Sequence, residues 1–313
     1  TDTAKTSSSL RFDLQKIHVR NVKLDFKNEE KNKHIGVVFR NNMVRLNTQN
    51  GIVNALITGN VQIQELLFKQ KKGSFLTNTE AIVYLNTNIY PNQKLCFVDP
   101  TSYAVIDEEK YGLTAYVDLK DDKKLTLKID APTANYKKAI QLMNTKIKKD
   151  LAKITVTNTV EVHATIIAEI GESAEPQLYV SLKGKNNDLK IGNTEIPYSH
   201  VSFTGSVFSM GDRVTTFPPN NGIVEFNNIK GKVYDFPFTA SVLIKDLKDP
   251  QIKIQADLMV QGSKIKFKPG TDFILDGVCE AKIDYKGAIT RLNRNDFLYF
   301  SQQLSLNMRF KKF

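Results

Sequence analysis

There is no tryptophan in the 313 residues, and the only cysteines are Cys96 and Cys279. Neither has the spacing of a metal knuckle, and each suits a buried free thiol as well as a disulfide. Glycine (16) and proline (10) are too scarce for a collagen-like or linker-type chain. Long hydrophobic runs are missing too. Stretches such as 166–168 and 55–57 fall far short of the ~20 apolar residues a spanning helix needs. The chain opens at Thr1 without methionine, as a processed product or excised segment would, which leaves a leader or anchor upstream open. Catalytic signatures are absent: no GxSxG elbow, P-loop, HExxH or dinucleotide glycine fingerprint. His18, His34, His163 and His200 are isolated, with no partner at ligand spacing, so neither a metal nor a cofactor is expected. The carboxylates Asp107, Glu108, Glu109, Asp121 and Asp122 fall in expected turns as solvated charges, although a glycosidase can draw its acid and base from remote strands.

What is present is charge and alternation. The net charge is +11, from 44 Lys and Arg against 33 Asp and Glu. Lys69, Lys71, Lys72, Lys123, Lys124, Lys148 and Lys149 gather at turns and on one helix face rather than in aromatic-flanked stripes, which argues against nucleic acid. Apolar residues recur with a period of two, the mark of a sheet whose faces see different surroundings. Phe238, Ala240, Val242 and Ile244 alternate with Thr239, Ser241, Leu243 and Lys245. After a break ending at Pro250 the pattern resumes at Ile252, Ile254, Ala256, Leu258 and Val260, so residues 221–260 read as antiparallel strands turned at 245–250. Val160, Val162, Ala164, Ile166, Ala168 and Ile170 alternate with polar residues in the longest strand expected, 155–170, about 50 Å if unbroken.

The same parity holds at Val53, Ala55 and Ile57, at Leu113, Ala115 and Val117, and at Leu304, Leu306, Met308 and Phe310, while Asn50–Gly51 signals a hairpin. From Phe12 to Phe26 the parity slips between Val19 and Val22, as a bulge would make it. One amphipathic helix is expected at about 133–153, with Tyr136, Ile140, Met143, Ile147 and Leu151 on one side and lysines on the other, covering a sheet edge or plugging an apolar interior. Residues 1–9 read as a disordered lead-in and 10–313 as one elongated domain, 171–176 being the best internal boundary.

The order of these segments is FDLQKIHVRNVKLDF, hairpins, LTLKIDAPTANYKKAIQLMN, VTNTVEVHATIIAEI, PQLYVSLKGKNNDLKIGNTEIPYSHVSFTGSV and NNGIVEFNNIKGKVYDFPFTASVLIKDLKDPQIKIQADLMV. Over residues 10–285 it resembles the C-terminal periplasmic part of bacterial AsmA-like proteins, relatives of TamB and of the repeating β-groove lipid-transfer proteins. The resemblance implies a mainly β fold: a long, curved, mostly antiparallel sheet folded into a U-shaped hydrophobic groove. It implies no enzyme, but phospholipid acyl chains carried between inner and outer membranes in the periplasm of a Gram-negative bacterium, in support of outer-membrane assembly. The full-length protein would be held to the inner membrane by a segment not in this chain. The groove lining would be the aliphatic sets named above from Val53 to Ile57, Leu113 to Val117, Val160 to Ile170, Phe238 to Ile244 and Ile252 to Val260. The alternation alone equally allows a closed β-sandwich that binds glycan or protein through aromatics such as Tyr111, Tyr116, Tyr234 and Phe236, with a carbohydrate-active enzyme as a third reading.

Overall fold

A computed structural model describes residues 15–30, 33–67, 73–120, 124–143, 145–169, 176–192, 196–209, 222–246, 249–262, 277–289 and 297–311. The elements in chain order are β1 (Lys16–Asn28), β2 (Lys33–Gln49), β3 (Ile52–Leu67), β4 (Leu76–Tyr90), β5 (Leu95–Ile106), β6 (Glu109–Asp118), β7 (Lys124–Ala134), α1 (Tyr136–Gln141), α2 (Thr145–Leu151), β8 (Ile154–Val156), β9 (Val160–Glu169), β10 (Gln177–Ile191), β11 (Tyr198–Ser209), β12 (Gly222–Val233), β13 (Phe236–Lys245), β14 (Gln251–Gln261), β15 (Val278–Ala288), α3 (Phe297–Gln303) and β16 (Leu304–Lys311). All the strands join one curved, open sheet in which each pairs antiparallel with its sequence neighbour, β8 standing off this path beside β10. The sheet does not close into a barrel: β1 and β16 are its two edges. The ladder passes directly from β9 to β10, across the 171–176 segment that read as a boundary. Residues 1–9 and 264–267, the latter an expected strand, lie outside the described residues.

Several strands are long and carry a register shift. Residues 178–182 and 189–191 join in β10, whose pairing with β11 shifts between Gly184 and Asn187. Residues 95–98 and 103–106 join in β5 across a shift between Val98 and Ser102, and 224–226 and 229–233 in β12 across one between Phe226 and Ile229. The bulge residues Asn186, His200 and Asn228 have φ near 50°, a region asparagine tolerates better than most residues. The parity slip in β1 falls at Asn21, φ 53°. At the other extreme, the strand expected over 155–170 is broken at 157–159. There the Asn158 N–H donates to Asn187 Oδ1 at 2.8 Å and the Asp188 N–H to Thr157 Oγ1 at 2.9 Å. Side-chain acceptors take over beside the remaining Thr157 N–H bond to the Asp188 carbonyl (3.3 Å), and β8 and β9 lie end to end along the same partner, β10.

The helical segment is shorter than expected and divided. Pro132 and Thr133 still belong to β7, and α1 starts after Asn135, whose side chain accepts from the Lys138 N–H at 3.2 Å. α1 closes with i→i−3 bonds from Leu142 to Ala139 and from Met143 to Ile140 before α2 begins. Tyr136 Oη donates to the Leu151 carbonyl at 3.0 Å and ties the two helices together.

The sheet is a single layer. Among the described residues the buried apolar side chains are mostly Ala and Val, and the largest buried to below 2% exposure are Val201, Asn42, Asn187 and Ser102. A two-sheet sandwich would bury Leu, Ile and Phe between its layers. The sheet is open between its edges β1 and β16.

Candidate functional site

Residues directly opposed in antiparallel strands lie on the same face, so the pairing register decides where each alternating set points. One row runs Leu113, Ile129, Ala164, Val180, Val207, Val224, Ile244, Ile252 and Gly287, crossing nine strands from β6 to β15. The next runs Ala131, Val162, Leu182, Gly205, Phe226, Val242, Ile254, Tyr285 and Leu304, from β7 to β16. A third links the N-terminal half: Leu46, Ala55, Thr87, Val98, Ala115, Leu127, Ile166 and Leu178, from β2 to β10. Nine strands at about 4.8 Å spacing make each full row about 40 Å long.

All the lining residues expected from the sequence and described here share this face. Val53 and Ile57 oppose Ile89 and Leu85, Val117 opposes Leu125, Ala168 opposes Leu125 on its other flank, and Val160 opposes Ala134. Phe238 opposes Leu258, Ala240 opposes Ala256, and Val260 opposes Cys279. Ile170 lies outside the described residues. The bulges keep the face unbroken: in β12 the apolar set moves from Val224 and Phe226 to Ile229, Gly231 and Val233, the parity changing where the register shifts. The expected lining omits Leu127, Leu182, Val207, Phe226 and Tyr285, which complete the rows. The same alternation would have found them once each parity change was read as a bulge.

Where two strands would leave a gap, an aromatic ring fills it. A Cβ added to Gly184 would meet the Phe203 ring at 2.4 Å, and one on Gly205 the Phe226 ring at 2.7 Å. The two rings meet edge to face, centroids 5.8 Å apart. Asn42 is the anomaly on this face. Opposite Gly59 and 2% exposed, it finds no hydrogen-bond partner for either amide atom among the described residues.

Part of the apolar face is covered. Tyr111, Ala131, Ala134 and Val160 form a buried cluster, and Ala139 and Leu142 from the α1 segment pack on it. Tyr111, expected as an exposed platform, is 6% exposed here, and burial pushes its hydroxyl up to about 12. It shares the parity of Leu113, which explains its inward placement. Near the other end Phe300 of α3 stacks on Tyr285, centroids 5.2 Å apart. Tyr116 and Tyr234 are exposed and Phe236 half-buried.

The opposite face is mostly polar, with apolar patches where Tyr179 meets Phe208 and Tyr84 stacks on Tyr103. Gln255 donates to Asp284 at 2.8 Å, and Lys311 reaches Glu280 at 2.5 Å across neighbouring strands. His163 bridges Asp130 (2.6 Å) and Glu161 (3.1 Å), which raise its pKa in that order. His34 likewise bridges Glu65 (2.6 Å) and Asp25 (2.7 Å) across β1, β2 and β3, and both raise its pKa, Glu65 more. Hydrogen bonds from Lys23 and then His34 bring Asp25 down to about 2. Cys96 and Cys279 are free and half-buried. Among the described residues no three His, Cys, Asp or Glu side chains gather as a metal site would need, and no helix is long and apolar enough to cross a membrane. No family model, curated protein or solved structure matches the chain.

Proposed function

We propose that the protein is a non-enzymatic lipid carrier whose curved sheet forms the wall of a groove, with phospholipid acyl chains lying along the apolar face. The observation that supports this is the set of apolar rows crossing up to nine strands on one side of an open sheet, with no second sheet among the described residues. Each methylene moved from water onto such a face gains about 0.8 kcal/mol, so a bare aliphatic wall holds a chain without specific contacts. The polar face, carrying Lys253, Gln255, Lys282 and Asp284, keeps the other side in water. The resemblance to AsmA-like proteins supplies the setting: the periplasm of a Gram-negative bacterium, transfer between inner and outer membranes, and an inner-membrane anchor outside this chain.

Organic extraction of the purified protein is expected to yield phospholipid. Ala164→Asp and Val242→Asp put a charge in the middle of a row, at half-buried positions. Each is expected to lower bound lipid severalfold while leaving the β-sheet circular dichroism unchanged. A wild-type protein that carries no lipid and fails to bind a fluorescent phospholipid would overturn the proposal.

A further inference from the structure

The two edges of the sheet differ. β1 carries a backbone irregularity at Asn21 (φ 53°), without a register shift against β2, and a dense basic row on its polar face, Lys16, His18, Arg20, Lys23 and Lys27 against Asp25 alone. Local backbone irregularities and lysines blunt an edge against pairing. β16 lacks the first and has little of the second. Its eight residues pair with β15 without a register shift, none has a positive φ, and among the described residues no strand lies on its outer side. Its polar row is Ser305, Asn307, Arg309 and Lys311, and Lys311 is matched by Glu280. On the apolar face Leu306 and Met308 are 51% and 52% exposed at the end of the rows.

We infer that β16 is a self-pairing edge: two copies of the chain join antiparallel through it, about a two-fold axis at Met308. In that register Leu306 faces the second copy's Phe310, Met308 faces itself, Asn307 faces Arg309 and Ser305 faces Lys311. No like charges oppose one another, and the apolar faces of both copies lie on the same side because even-numbered residues meet even-numbered ones. The edge hydrogen bonds of each β16 are completed and its exposed apolar residues are covered. An eight-residue edge buries less than the roughly 1,200 Å² of a standard interface, so the dimer is reversible. It does not depend on what, if anything, occupies the apolar face.

Sedimentation equilibrium is expected to show a monomer–dimer equilibrium below about 100 µM. Met308→Lys, which sets two ammonium groups together at the axis, weakens it at least about tenfold. Asn307→Glu, facing the second copy's Arg309, tightens it severalfold, so the test does not rest on a loss alone. In a Cys96→Ser, Cys279→Ser background a short bismaleimide joins Met308→Cys to itself but not Val22→Cys on the β1 edge. A protein monomeric throughout that range, a dimer indifferent to both charge substitutions, or cross-linking through Val22→Cys overturns the inference.

Discussion

His34 sits on the polar face between two carboxylates on different strands, Asp25 of β1 and Glu65 of β3, so its charge holds three strands together locally. Both neighbours favour the imidazolium, and the folded-state pKa lies above 6.5. A group raised on folding contributes stability that is complete below the unfolded value and fades as pH climbs through the folded one. Asp25 has the opposite sense: its contribution stands above 3.8 and is lost only as pH falls through about 2. NMR titration is expected to place the His34 midpoint above 6.5. Thermal stability is expected to decline from pH 6.5 upward, and less so in a His34→Gln, His163→Gln variant, since His163 carries the same arrangement with Asp130 and Glu161. A midpoint at or below 6.5 would contradict this account. The effect is modest, because both imidazoles are at the surface and salt screens them.

At the scale of elements, bulges are the recurring device. In β10, β11 and β12 they move the alternation by one residue and lie on neighbouring strands at Asn186, His200 and Asn228. The Asn186 N–H binds Ser202 Oγ at 3.0 Å and His200 Nδ1 meets Asn186 Oδ1 at 2.8 Å, so adjacent bulges satisfy each other's displaced polar groups. Such a line adds twist and bend to long strands, which a flat meander of this length could not otherwise gain. The α1–α2 segment depends on a different local device, the Asn135 cap and the Tyr136 bond to Leu151. Asn135→Ala is expected to cost about 1 kcal/mol and to loosen the cover over Tyr111, Ala134 and Val160. Faster amide exchange confined to 136–151, with β7 and β9 unchanged, would register it; a global loss of protection would show that the helices carry more of the fold than their packing suggests.

For the molecule as a whole, each strand meets mainly its immediate neighbours in a single layer. Stability then accumulates along the sheet from strand to strand, as in repeat proteins, rather than from one central core. Hydrogen exchange is expected to grade from fast at β1 to slow at β9–β12, and urea unfolding to be broad rather than sharply two-state. One uniform cooperative transition would contradict it. The lipid-carrier proposal and the β16 dimer both belong to this scale, since one concerns the apolar face of the sheet and the other its edge.

The alternation from Phe238 to Ile244 and from Ile252 to Val260 was enough to place those residues on one face, because side-chain direction in a strand has a period of two whatever the tertiary context. The Asn50–Gly51 hairpin was likewise local: both residues take positive φ, 52° and 75°. What pairing decided was how the segments join. A parity change at Gly184–Asn187 or Phe226–Ile229 looks the same in sequence whether the chain turns or bulges, and only the register with the neighbouring strand distinguishes them. The break at 157–159 depended on Asn187 and Asp188, about thirty residues away, and so could not be read locally. Whether a second layer packs over the apolar face is likewise a matter of tertiary structure, not of alternation. A sandwich and a single curved sheet share the same alternation, and they differ in whether a second layer packs on the apolar side.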